Sequence, residues 1–166
     1  MTEQDRTEAT RQVILRMEAA LAANADDMDT HFHESFRWMG NQGCGTKNNL
    51  QAFRDHWQLP LRAAFTEREY KTERLVCEGD WASAFGHIEA THSGSFMGIE
   101  PTGKRVNIPY MDFWKVEDGR IVDNWVSVDF AHVLVQLGRD PFGGHGWENF
   151  DDGSVSSPER HVRNSP

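Results

Sequence analysis

Residues 79–138 read GDWASAFGHIEATHSGSFMGIEPTGKRVNIPYMDFWKVEDGRIVDNWVSVDFAHVLVQLG, and their periodicity decides the fold. From Glu67 onward apolar residues recur with period two, which predicts strands at 67–78, 81–93, 104–117 and 120–129. The turn signals EGD, PTGK and EDGR separate these strands at hairpin-like spacing, so the expectation is a long antiparallel meander. The same stretch plants two carboxylates, Asp112 and Asp129, among aromatic residues. A carboxylate on an apolar strand face is costly to bury as a charge. It is therefore paired, satisfied by hydrogen bonds, or kept for proton transfer.

Strand alternation assigns faces. In RVNIPYMDFWKV, Val106, Ile108, Tyr110, Asp112, Trp114 and Val116 share one face, while Asn107, Pro109, Met111, Phe113 and Lys115 share the other. Asp112 thus belongs to an apolar row. In WASAFGHIEATH, Ala82, Ala84, Gly86, Ile88, Ala90 and His92 form a row of mainly small residues that leaves room beneath a ligand, and this row is expected to face inward. In RIVDNWVSVDF, the set Ile121, Asp123, Trp125, Ser127 and Asp129 alternates with Val122, Asn124, Val126 and Val128. Hydrophobicity alone does not choose between these two faces.

Upstream, residues 5–24 read as an amphipathic helix, because Ala9, Val13, Met17 and Leu21 recur every four residues. A turn at Ala25 to Asp29 leads into HFHESFRWMG, read as a helical turn followed by a short strand. After the glycine-rich GNQGCGT, Thr46 can cap a helix marked by Leu50, Phe53 and Trp57, which Pro60 should kink or end. A last helical turn runs from Phe130 to Leu137 and stops at Gly138. The expected architecture is α+β: N-terminal helices packed on one face of a curved, mainly antiparallel sheet whose concave face forms a pocket. Residues 1–138 form this domain, and 139–166 have the composition of a tail whose Phe142, Trp147 and Phe150 can dock on the same or a neighbouring subunit.

Composition narrows the partners. Lys and Arg total 17 against 26 Asp and Glu, a net charge of −9, so phosphate backbones and anionic membrane surfaces repel the chain. Neither nucleic acid nor membrane is expected as a partner. No apolar run approaches the roughly 20 residues needed to span a bilayer. The two cysteines, Cys44 and Cys77, lack CxxC spacing, and the polar N-terminal segment does not resemble a signal peptide, so a cytoplasmic location with reduced thiols is expected. The NQGCG loop lacks the Lys-Ser/Thr of a phosphate loop. His31 and His33 are too few ligands for a metal site.

The ordered set of THSGSFMGIEPTGK, DGRIVDNW, an Asp four residues after that Trp, and QLG resembles the SnoaL-like polyketide cyclase family of the nuclear-transport-factor-like superfamily, over roughly residues 8–138. The resemblance implies a ketosteroid-isomerase-like cone, a deep apolar pocket and cofactor-free acid/base chemistry, such as aldol ring closure of a polyketide. In that pattern the Asp after the Trp, here Asp129, is the acid/base candidate. The chain departs from the pattern at Asn124, where many relatives carry His, and at Ala64–Glu67.

Aldol closure removes a proton from carbon flanked by carbonyls and then protonates the new alkoxide, and one carboxylate of raised pKa can do both. Asp129 is the first candidate, with N-capping of the following helix as its structural alternative. Asp112 is the second, with a hydrogen-bonded structural carboxylate as its alternative. If the two approach each other, repulsion raises one pKa. Trp38, Trp57, Tyr110, Trp114, Trp125, His92 and Ile88 are the substrate-binding candidates; the tryptophans can equally be core, and His92 a turn or rim residue. No metal or cofactor is expected. The competing reading is a non-catalytic cone that binds a hydrophobic small molecule or pairs with another chain. Exposed Phe85 and Phe113 on the outer sheet face point to a homodimer through the sheet.

Overall fold

The computed structural model describes residues 2–150. Helix α1 (Glu3–Ala22) opens with a capping box in which the Thr2 hydroxyl accepts from Asp5 N and Asp5 accepts from Thr2 N. Its buried stripe is Thr10, Val13, Ile14, Met17 and Ala20. Ala9 is exposed, so the stripe is rotated from the expected one. A single turn, α2 (Met28–His31), leads directly into β1 (Phe32–Gly40), followed by the short β2 (Thr46–Lys47).

The next helix does not end at Pro60. Residues 50–64 run as α3 (Leu50–Phe53), a π-turn over Arg54–Gln58, and α4 (Leu59–Ala64) with proline in its first turn. Proline is tolerated there because it lacks only a hydrogen bond that the first turn does not make, and the wider turn upstream takes up the mismatch. The Asn49 side chain, rather than Thr46, caps the start by accepting from Ala52 N.

Strands β3 (Phe65–Glu78), β4 (Trp81–His92), β5 (Arg105–Glu117) and β6 (Arg120–Val128) form the antiparallel meander. The complete sheet has the order β2-β1-β6-β5-β4-β3, with β1 lying parallel to β6. Register breaks in β3, between Thr66 and Glu69 and between Thr72 and Arg74, bend the long strand so that the sheet curls around its own inner face. Where the bend brings β3 backbone against β4, only glycine fits: a Cβ on Gly86 would lie 2.3 Å from Lys71 O. Helix α5 (Phe130–Gln136) then packs on β5 and buries Phe130, Val133 and Leu134.

The alternation assigned β4 and β5 correctly. Val106, Ile108, Tyr110, Asp112, Trp114 and Val116 are buried on the concave face, as are Ala82, Ala84, Gly86, Ile88, Ala90 and His92. Arg37 on β1 grips Asp123 with two hydrogen bonds of 2.8 Å. Asp123 therefore faces away from the cavity although it is buried, and Asn124, Val126 and Val128 are the inward set of β6. The aromatic residues of the tail, Phe142, Trp147 and Phe150, are exposed, with Trp147 and Phe150 resting on each other. Part of the expected tail, residues 151–166, lies outside the described residues.

Candidate active site

The concave face of the sheet, α1 and the 50–64 helix enclose a cavity of about 100 Å³. Aliphatic and aromatic side chains make most of its wall. Ile88 from β4, Ile108 from β5, Val126 and Val128 from β6 form the floor, and Met17 and Leu21 of α1 cover it. Trp38, Phe53 and Trp57 form an aromatic flank, in which Trp38 and Trp57 lie 4.3 Å apart at 33°. Trp57 and Leu61 also wall a second hollow of about 210 Å³ on the Phe96 and Phe130 side.

Asp112 lies in this apolar setting with only 9% of its surface exposed. Asn124 Nδ2 donates to its Oδ1 at 2.8 Å, and among the described residues no hydrogen bond reaches Oδ2. Burial pushes the Asp112 carboxyl up to about 7; the Asn124 hydrogen bond opposes the rise, and the Glu18 charge adds to it. The group thus titrates where both of its forms are populated at neutral pH.

A second polar set stands at the cavity wall, where Glu18 and Tyr110 line the cavity and Thr72 links them. Thr72 Oγ1 donates to Glu18 Oε1 at 2.9 Å and lies 2.8 Å from Tyr110 Oη. Burial raises the pKa of Glu18, with the Thr72 hydrogen bond opposing it. Burial likewise raises that of Tyr110, which stays protonated and able to donate. Tyr70, Gln58 and Arg62 complete the polar lining.

Of the expected site residues, Asp112, Trp38, Trp57, Tyr110, Trp114 and Ile88 meet at this cavity. Three others do not. Trp125 stands on the outer face, 39% exposed and stacked on Trp81 at 5.6 Å, because it belongs to the outward set of β6. His92 is fully buried, but its ring packs against Phe65 and Phe96 and its Nδ1 lies 3.0 Å from Thr102 Oγ1, which ties it to the β4–β5 connection. Asp129 is the N-cap of α5: its Oδ1 accepts from His132 N at 2.9 Å, and its own N–H donates to Pro109 O. Glu18 is a carboxylate whose charge acts on Asp112.

His31 ends α2 and His33 is on β1, so the two do not share a strand face. Among the described residues no group of three or more His, Cys, Asp or Glu is arranged to hold a metal ion. No helix among them is long and apolar enough to cross a membrane. Cys44 and Cys77 are free thiols.

Sequence reasoning missed Glu18, Gln58, Arg62 and Tyr70. Two signals were present. Glu18 sits between Met17 and Leu21 on the covered side of α1, and Gln58 and Arg62 are one helical turn apart around Leu61.

A cone of helices on a curled six-stranded sheet, with a buried carboxyl on the wall of a largely apolar cavity, defines a class of small α+β proteins. The profile of the SnoaL-like polyketide cyclase family matches residues 11–137, and the chain belongs to that family. It is 29% identical over 126 residues to nogalonic acid methyl ester cyclase of Streptomyces nogalater, covering 74% of this chain and 91% of that protein. Among solved structures, TsrD of Streptomyces laurentii superposes with a TM-score of 0.68 at 22% identity, covering 79% of this chain and 96% of TsrD. A SnoaL-like polyketide cyclase of Agrobacterium tumefaciens superposes with a TM-score of 0.65 at 22% identity, covering 78% of this chain and 98% of that one. These two likenesses bear on the fold.

Proposed function

We propose that this chain is an acid/base enzyme of the cyclase or isomerase type, acting without a cofactor on a hydrophobic, polyketide-like small molecule, with Asp112 as the group that moves the proton. The observation that carries this reading is the Asp112 carboxyl: buried on the cavity wall, titrating near 7, and held through one oxygen only. Asp129, first in line from the family pattern, has the helix-capping geometry instead.

In the aldol version, ionised Asp112 takes a proton from a carbon flanked by two carbonyls. The resulting enolate carbon attacks a second carbonyl of the same molecule, forming the ring bond. The alkoxide so generated takes the proton back from Asp112, which returns to its ionised form. Asn124 fixes Oδ1 in both states and leaves Oδ2 to the substrate. Trp38 and Trp57 give a planar ring a flat wall and keep water from the enolate. A cavity of about 100 Å³ is smaller than a multi-ring polyketide, so the reacting ring occupies it while the rest of the molecule extends beyond.

The test is Asp112→Asn assayed on polyketide-like β-dicarbonyl compounds, as free acids and as esters. Turnover is expected to fall by about a hundredfold or more, the usual worth of a positioned acid/base group, with binding retained. In the wild type the rate should rise with pH through about 7 as the base ionises. Full activity in Asp112→Asn would remove the proposal.

A further inference from the structure

Arg62 is a cation at the wall of a largely apolar cavity, without an ion-pair partner among the described residues. It projects from α4, one turn after Gln58, and lines the cavity with Tyr70, whose pKa burial raises while the charges of Arg68 and then Arg62 oppose the rise. It takes part in none of the ion pairs among the described residues, unlike Arg37 and Arg105. Its Nη2 is buried and has no hydrogen-bond partner among the described residues. Arg68, the next arginine along, also has a buried Nε without a partner among the described residues, but it does not line the cavity, and its guanidinium is engaged by Tyr70, Phe65 O and Asn24 Oδ1. A buried guanidinium N–H without an acceptor is destabilising, and a ligand that supplies one relieves it.

The register locates Tyr70, which lines the cavity with Arg62, relative to Asp112. Tyr70 pairs with Ile88, and Ile88 with Ile108, four residues before Asp112 on β5. That separation is about 13 Å of strand. The row between them, Thr72–Gly86–Tyr110, carries the Glu18 hydrogen-bond chain. Asp112 and Arg62 thus both line the cavity, and the Tyr70 hydroxyl lies within reach of both charges.

We propose that Arg62 binds a carboxylate carried by the substrate, so that the molecule lies with its ionised end at Arg62 and its reacting carbon at Asp112. The first half stands on the Arg62 geometry; the second rests on the proposed role of Asp112. A carboxylate fits better than a phosphate. One planar guanidinium matches a single carboxylate fork, whereas the apolar walls and the Glu18 side chain disfavour a doubly charged group. The substrate class is therefore a hydrophobic keto acid rather than a neutral ester.

Calorimetric titration with 2-naphthoate and methyl 2-naphthoate at neutral pH tests this. The wild type is expected to bind the acid about tenfold or more tighter than the ester, the worth of one charge-assisted hydrogen bond. Arg62→Gln should bring the two dissociation constants together by weakening the acid alone. Arg62→Lys, which keeps the charge but loses the fork, should retain part of the preference, and it carries the test if the Gln variant does not fold. Equal affinities in the wild type, equal losses for both ligands in Arg62→Gln, or no binding of either at millimolar concentration would overturn the inference. Asp112→Asn separates the two readings. If the acid preference persists while Asp112→Asn keeps full turnover, only the catalytic assignment fails; if the preference is absent while that variant is inactive, only the Arg62 assignment fails.

Discussion

Asn124 reaches diagonally across the β5–β6 ladder to donate to Asp112 Oδ1 at 2.8 Å, one step off the register that pairs Asp112 with Val126 and Trp114 with Asn124. A hydrogen bond to the charged form holds the carboxyl pKa below the level that burial alone sets. Asn124→Ala removes it. The ionisation seen in the pH–rate profile should move above its wild-type position near 7. A hydrogen bond to a charged group is worth roughly one to two pH units on this scale. Activity at neutral pH falls accordingly and recovers in more alkaline buffer. A profile that keeps its midpoint while the rate drops uniformly would mean that Asn124 only supports the strand.

Asp112 also makes stability depend on pH, and the sign follows from its raised folded-state pKa. An unfolded Asp ionises at roughly 4. Between that value and about 7 the native state holds the extra proton, so this group's contribution falls as pH rises through the window and stays at its lowest above it. Asp112→Asn keeps the shape and cannot ionise. Relative to the wild type it should therefore gain stability from acid to alkaline buffer, by a few kcal/mol between about pH 5 and about pH 9. Urea denaturation of both proteins at the two pH values measures this. A difference that does not change with pH would mean that Asp112 is not buried as a neutral acid.

Much of the cone could be read from the sequence because period-two rows state which side of a strand is covered. The Val106–Val116 row placed Asp112 inside, and the small residues of β4 placed the open space under it. β6 resisted because both of its rows mix apolar and polar residues. Its inward side is chosen by a distant partner, Arg37, which turns Asp123 away from the cavity. Trp125 was misplaced for the same reason, since a large aromatic is usually covered by the core and here is covered in part by Trp81. Arg62 and Glu18 belong to helices whose docking on the sheet no local pattern encodes.

Asp129 offers a clean separation of cap from base. Its Oδ1 accepts from His132 N at the start of α5, and Asn is as good an N-cap as Asp. Asp129→Asn should keep stability within a few tenths of a kcal/mol and keep most of the turnover, whereas Asp129→Ala should lose about 1 kcal/mol. Thermal denaturation and a single rate assay on each variant decide it. A stable Asp129→Asn with turnover abolished would return the acid/base role to Asp129.

The outer sheet face carries the last expectation. Phe113 points away from the cavity next to inward Asp112 and is 57% exposed, with exposed Met111 and Phe85 beside it and the Trp81–Trp125 stack nearby. Isolated apolar side chains on a surface are ordinary, but a continuous aromatic patch on a sheet is the composition of an interface centre. A two-fold pairing of this face with itself covers the patch on both copies at once. The chain should therefore run as a dimer in light scattering at micromolar concentration, and Phe113→Asp should run as a monomer, because the dimer would then bury two unpaired carboxylates. Cavity ligands should still bind the monomer, since Phe113 does not line the cavity. A wild type that stays monomeric at that concentration would leave the patch to a different partner and rule out self-pairing.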